Sequence, residues 1–180
     1  MVASIDSNEL FEKSKKLFED GDIDNTIETY EKAIHNIDRT KLKNKQDYIQ
    51  FLESLLKYCR EHNLQDQEAL VLRTLGRTYS IFKQHAESMK YHYQSLKIQK
   101  KLGKKLEVAD GLVFLAEDLE ISGNYDKCIK TFQESVDIYQ KLGKLRKVKD
   151  IKKEISRLEA FSKEMVEDEY YLHKFNIDKY

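Results

Sequence analysis

The segments LRTLGRTYS, residues 72–80, and LVFLAEDLE, residues 112–120, decide how this chain folds, because one is a variation of the other forty residues on. Leu75 maps onto Leu115, Gly76 onto Ala116, Tyr79 onto Leu119, Ser88 onto Cys128 and Ser95 onto Ser135. Leu102-Gly103 returns as Leu142-Gly143 at the same spacing. A fixed period in this range marks a stacked repeat. Each copy holds two helices that cannot bury their apolar stripes alone, so neighbouring copies have to stack.

Composition agrees. Of 180 residues, 36% are charged, none is Pro and only 6 are Gly, so little interrupts long helices. Formal net charge is zero, and no global field draws the chain to nucleic acid or membrane. Cys59 and Cys128 form no CxxC pair, which leaves neither a zinc ribbon nor a thioredoxin-like motif. Free thiols point to a reducing compartment, cytoplasm or nucleus. The opening MVASIDSNELFEK lacks the apolar run of a signal peptide. No stretch approaches the roughly 18 apolar residues of a membrane span.

The later copy reads Leu112, Leu115, Ala116, Leu119, Gly123-Asn124-Tyr125, Cys128, Phe132, Ser135. The earlier reads Leu72, Leu75, Gly76, Tyr79, Ser88, His92, Ser95, with Lys83-Gln84-His85 as its turn. These residues resemble the tetratricopeptide repeat (TPR), in which small positions let two helices cross closely. The family's Trp and Pro are absent. The forty-residue period and KYHYQSLKIQKKLG, residues 90–103, are similar to the longer repeats of the Pins/LGN cell-polarity adaptors. The resemblance implies an all-α, right-handed helical-hairpin solenoid of about three repeats, with an extra helix and a C-terminal capping helix.

Taken as one domain over 1–180, the chain divides into three repeats, an extra helix, a cap and a tail. A first repeat spans 7–38, with helices over 7–20, N-capped by Ser7, and 24–37. An extra helix over 41–62 is either an insertion or a degenerate repeat, since Leu55 and Tyr58 fall where Ser95 and Ile98 fall one period later. A second repeat spans 65–102, with helices over 65–83 and 86–101. A third spans 105–142, with helices over 105–121 and 125–141. A capping helix covers 145–167, with Val148, Ile151, Ile155, Leu158 and Phe161 as its stripe. The Tyr-rich end, 168–180, extends that helix, folds back or stays mobile.

No catalytic or metal constellation emerges. The five His are scattered, the carboxylates are interleaved with Lys at helical spacing, and no nucleophile motif or phosphate loop is present. The reading is therefore not an enzyme, with no cofactor and no metal. In TPR arrays the first helix of each repeat lines a concave groove. The matching positions are Phe11 and Lys15, then Arg73, Thr74, Arg77 and Ile81, then Val113, Phe114, Glu117 and Ile121. Arg73 and Arg77 share a helix face and either grip a partner's carboxylate or pair Asp66, Glu68 or Glu117 within the fold. The family's dicarboxylate clamp needs Asn, which none of these positions supplies.

The expected function is that of an adaptor holding a protein or peptide partner in the groove, one with acidic residues facing the arginines. Two alternatives stand beside it. Lys100, Lys101, Lys104, Lys105, Lys144, Arg146 and Lys147 flank two Leu-Gly turns one period apart, an edge that suits RNA, DNA or acidic lipid. The array is otherwise a structural module that self-assembles through the extra helix or the tail.

Overall fold

The structure, a computed structural model, describes residues 6–35, 37 and 45–174, with side chains as far as Glu164. Among the described residues there are eight α-helices and no strand. They are α1 (Ser7–Glu19), α2 (Ile23–His35), α3 (Lys45–Glu61), α4 (Gln65–Ile81), α5 (His85–Lys101), α6 (Lys105–Ile121), α7 (Tyr125–Lys141) and α8 (Leu145–Lys174).

Several bounds differ from the sequence reading by a residue or two, α4 for one ending at Ile81 rather than 83, and the larger differences follow. Asp6, rather than Ser7, caps α1, because its carboxylate accepts the Asn8 N–H at 3.1 Å. Helix α2 stops at His35, short of Ile37. Helix α8 runs past 167 to Lys174, so the first part of the expected tail is helical. Residues 38–44, which include the expected start of the extra helix, and 175–180 lie outside the described residues.

One local device sets the rhythm of the chain. After α1, and after each of α3 to α7, a single residue turns to positive φ: Gly21, Asn63, Lys83, Gly103, Gly123 and Gly143. Its N–H and the next one reach back over the last helical turn. Lys83 N, for example, donates to Ser80 O and Gln84 N to Tyr79 O, both at 2.9 Å. This is the Schellman stop, which satisfies carbonyls that a helix end leaves open. From 63 to 143 these residues fall 20 apart, and α3 to α7 are each 17 residues long.

Helix α3 keeps that rhythm. Its buried Tyr48, Leu52, Leu55, Leu56 and Cys59 answer to Ser88, His92, Ser95, Leu96 and Gln99 of α5, forty residues on. The buried face of α3 is thus that of α5 one period earlier.

The chain forms two compact units, Met1–Lys104 and Lys105–Tyr180. In each, a hairpin crosses at small residues. Ser95 Oγ donates to Ala69 O at 2.7 Å in the first unit, and Ser135 Oγ to Ala109 O at 3.0 Å in the second. Ser88 Oγ also donates to Gly76 O at 2.7 Å. The approach is close enough that a Cβ on Gly76 would meet the His92 ring at 2.6 to 2.8 Å.

In the first unit α3 cannot be approached in this way, because Tyr48 and Leu55 stand where α5 has Ser88 and Ser95. An aromatic layer does the work instead. Phe11 of α1 stacks on Tyr48 with centroids 3.9 Å apart, and Phe51 meets Phe11 and Phe18 edge-on at 5.6 and 5.9 Å. Tyr30 of α2 is fully buried beneath them, its hydroxyl within 3.3 Å of Tyr48 O and 3.2 Å of Thr78 Oγ1.

In the second unit Leu112, Leu115 and Leu119 of α6 and Phe132, Val136 and Tyr139 of α7 form the core. Helix α8 closes it with Val148, Ile151, Ile155 and Leu158. Phe161, expected in that stripe, is 41% exposed and meets Tyr125 edge-on at its margin. Arg157 of α8 donates to Glu120 of α6 at 2.7 Å and spans the helix ends from outside.

Two substitutions test these constraints. Alanine at Gly76 gains roughly 1 kcal/mol of helix propensity but overpacks His92, which costs about 1–3 kcal/mol. Gly76→Ala should therefore lower stability in urea titrations, whereas in a His92→Ala background the same change should raise it. A loss of equal size in both backgrounds would refute the crossing geometry. Lys83 holds a left-handed conformation that costs a non-glycine residue about 1–2 kcal/mol. Lys83→Gly should raise the urea midpoint, by an amount corresponding to about 1 kcal/mol once glycine's added chain entropy is set against that relief.

Candidate interaction surfaces

The face of α4 that the sequence assigned to a groove turns partly inward. Helix α4 packs against α2 as well as α3 and α5, and this brings Glu31 of α2 over Arg73, Thr74 and Arg77. Glu31 Oε1 lies 2.9 Å from Thr74 Oγ1, 3.4 Å from Arg73 Nη2 and 3.6 Å from Arg77 Nη1. The arginine side chains keep 14% and 22% of their exposure, so the cluster is more interior than surface. Of the carboxylates that the sequence offered them, Asp66 goes to Lys104 at 2.8 Å and Glu68 to Arg60 at 2.8 Å.

Two expected wall residues are core residues. Thr74 is fully buried beneath Glu31 of α2, with its hydroxyl also 2.9 Å from Leu70 O. Phe11 is buried because α3 brings Tyr48 and Phe51 onto its ring. Lys15 stays at the surface, with Nζ 4.3 Å from the centroid of that ring and 2.7 Å from Glu12. Ile81, at the end of α4, is half-buried.

In the second unit, Val113 and Phe114 of α6 are half-buried, Glu117 is exposed, and Ile121 is 62% exposed. Residues 113, 117 and 121 repeat at i, i+4 and i+8 and so share one face of α6, with Phe114 beside it.

The cations of the alternative edge divide between the units. Lys100 and Lys101 are exposed at the end of α5, and Lys104 is held by Asp66. Lys105, Lys144 and Arg146 are exposed in the second unit, where Lys147 lies 3.8 Å from Asp110 and over the Tyr139 ring. Tyr139 donates its hydroxyl to the same Asp110 carboxylate.

The two thiols are buried and unbridged. Burial pushes Cys59 and Cys128 up to about 11, well away from the thiolate form that reacts. Among the described residues no group of three His, Cys, Asp or Glu is placed to hold a metal, and no helix is long and apolar enough to cross a membrane.

Sequence reasoning missed Glu31. It sits on a flank of α2 beside the buried Tyr30, and nothing in its own segment announces a partner 42 residues away. The signal was the pair Arg73 and Arg77, two cations at one helical spacing on a helix that must pack on its neighbours.

No protein-family model matches the chain, and no curated protein matches it. Among solved structures it is similar to a Signal Transduction ATPase with Numerous Domains (STAND) protein with a tetratricopeptide repeat sensor from Pyrococcus horikoshii. The TM-score is 0.57 at 15% identity, covering 81% of this chain and 25% of that one, so the chain spans a quarter of that structure's length. Weaker superpositions are with BtubC (BKLC) from P. vanneervenii, at a TM-score of 0.44 and 14% identity over 83% of this chain and 78% of that one, and with MamA protein, at 0.37 and 16% over the whole of both. Likeness of this order concerns the fold alone. The Pyrococcus likeness, with the paired helices above, makes this an all-α helical repeat of the TPR-like kind.

The Glu31 cluster has a direct test. Glu31→Ala leaves two half-buried guanidinium groups without this carboxylate and should cost about 1–2 kcal/mol of stability, read by urea unfolding of the intact chain. Unchanged stability would mean that the arginines do not depend on Glu31.

Proposed function

We propose that this chain is a protein-interaction scaffold that works by contact, without a cofactor or a reaction of its own. The observation that carries the reading is the face of α6, where Val113 and Phe114 are half-buried and Ile121 is 62% exposed at its end. The first helix of a repeat keeps one side in solvent, and an apolar side chain left in water on such a face is a natural anchor for a partner segment.

This moves the weight of the expected groove. The acidic partner inferred from Arg73 and Arg77 loses support, because Glu31 already occupies both guanidinium groups. Ile81 is the α4 counterpart of Ile121, one period earlier, and offers the same chemistry at lower exposure. The repeat named as a sensor in the Pyrococcus protein fits a recognition role of this kind. Affinity would come from one or two anchors on a preformed surface, with the remaining contacts supplying fit. The compartment proposed is the cytoplasm or nucleus, where the two unbridged thiols stay reduced.

Ile121→Asp tests this reading. The side chain is mostly in water, so melting should change by less than about 0.5 kcal/mol-equivalent. Proteins captured from a native lysate by the wild-type chain should be depleted at least tenfold by the variant, as expected when an anchor worth roughly 1.4 kcal/mol or more is lost. Capture of the same proteins in equal yield by both would remove the α6 face from the interface.

A further inference from the structure

The helices of the second unit alternate in direction, so the start of α6, the end of α7 and the start of α8 meet at one end. Tyr139 and Lys147 both converge on Asp110 there. From 141 to 153 the chain carries Lys147 and six further cations, Lys141, Lys144, Arg146, Lys149, Lys152 and Lys153, against Asp150, with Glu107 and Asp110 near the start of α6 and Glu154 after Lys153 as the acidic neighbours. Those six are exposed, and none reaches a carboxylate within ion-pair distance among the described residues. Arg146, Lys149 and Lys153 lie on the side of α8 opposite the buried Val148, Ile151, Ile155 and Leu158. No acidic residue stands in the first turn of α8, so the partial positive charge of the helix start adds to theirs.

Two aliphatic side chains stand in this field. Leu145 is 71% exposed in the first turn of α8, between Lys144 and Arg146, and Leu106 is 40% exposed in the first turn of α6 beside Lys105. We infer that this end of the α6–α8 unit docks on an anionic lipid surface. Lysine and arginine heads would meet lipid phosphates and carboxylates, while Leu145 and Leu106 pass into the boundary of the acyl region. A plane suits cations spread over three helix ends better than it suits cations lining a cleft. Nucleic acid is less well served, because the cluster holds one Arg and no exposed aromatic ring on which a base would stack. An acidic peptide would satisfy the charges and leave the leucines in water. The inference is independent of the α6 partner face, since it uses neither Ile121 nor Phe114.

Co-sedimentation of the full chain with phosphatidylcholine vesicles, with and without about a third phosphatidylserine, tests it. The chain should pellet with the anionic vesicles and stay in solution with the neutral ones, less so as salt rises. Each cation at such a surface multiplies partition about fivefold, so Arg146→Gln, Lys149→Gln and Lys153→Gln together should lower it about a hundredfold. The melting curve should not move, since none of the three side chains is buried or paired. Leu145→Ser should lower partition severalfold at unchanged charge. Failure to pellet with anionic vesicles at low salt would overturn the inference, as would undiminished pelleting by the triple variant or by Leu145→Ser. Binding of a single-stranded RNA oligonucleotide that the triple variant loses, with no vesicle binding, would reassign the cluster to nucleic acid and overturn it equally.

Discussion

Two helices of a hairpin can approach each other closely only where small side chains stand at the crossing. That constraint governs this chain. Ser95 against Ala69 and Ser135 against Ala109 are the same bond made twice, and each lets a backbone carbonyl meet a hydroxyl across the interface. The hydroxyl satisfies a second lone pair of a carbonyl already engaged in its own helix, so closeness brings no unpaired polar group. Gly76 beneath the His92 ring is the extreme case, because no heavier residue fits there without a shift. The apolar contacts on either side depend on this spacing and would be looser without it.

Where the small residues are missing, the architecture changes. Helix α3 has Tyr48 and Leu55 at the crossing positions, and in place of a close hairpin it packs through rings against α1 and α2. The twenty-residue spacing of the left-handed stops holds from Asn63 onward regardless, since it is set by the helix lengths and the turn. Turn geometry and crossing geometry are thus separable. The first keeps α3 in step with the later helices, and the second decides which neighbours it leans on. A consequence is that the first unit has an aromatic core, while the second is built mainly from aliphatic side chains.

This packing also sorts the charged residues. Cations that face a neighbouring helix are matched, Arg73 and Arg77 inside the packing by Glu31 and Arg157 at the surface by Glu120. The exposed cations at the joined helix ends of the second unit remain in water. Desolvation is costly for an unpaired charge and small for one left in solvent, so burial, more than sequence spacing, separates structural cations from available ones. A basic pair on a helix face is therefore weak grounds for a binding site until its packing is known.

The sequence by itself determined the class of fold, most helix bounds to within two or three residues and the forty-residue equivalences. These depend on local periodicity, on glycine at helix ends and on small residues recurring at fixed positions, all of which are written in the chain. It also marked which cations crowd around the last Leu-Gly turn. It did not determine which candidate wall residues face solvent. Phe11 and Thr74 looked like groove residues by position and are core residues, because α3 and α2 cover them. Glu31 gave no local sign of meeting α4, and the match between the buried faces of α3 and α5 shows only in the packing. In each case the answer lay in a contact between segments far apart in sequence. Periodicity shows which side of a helix is apolar, but only the tertiary packing decides which neighbour meets each side and what is left outside.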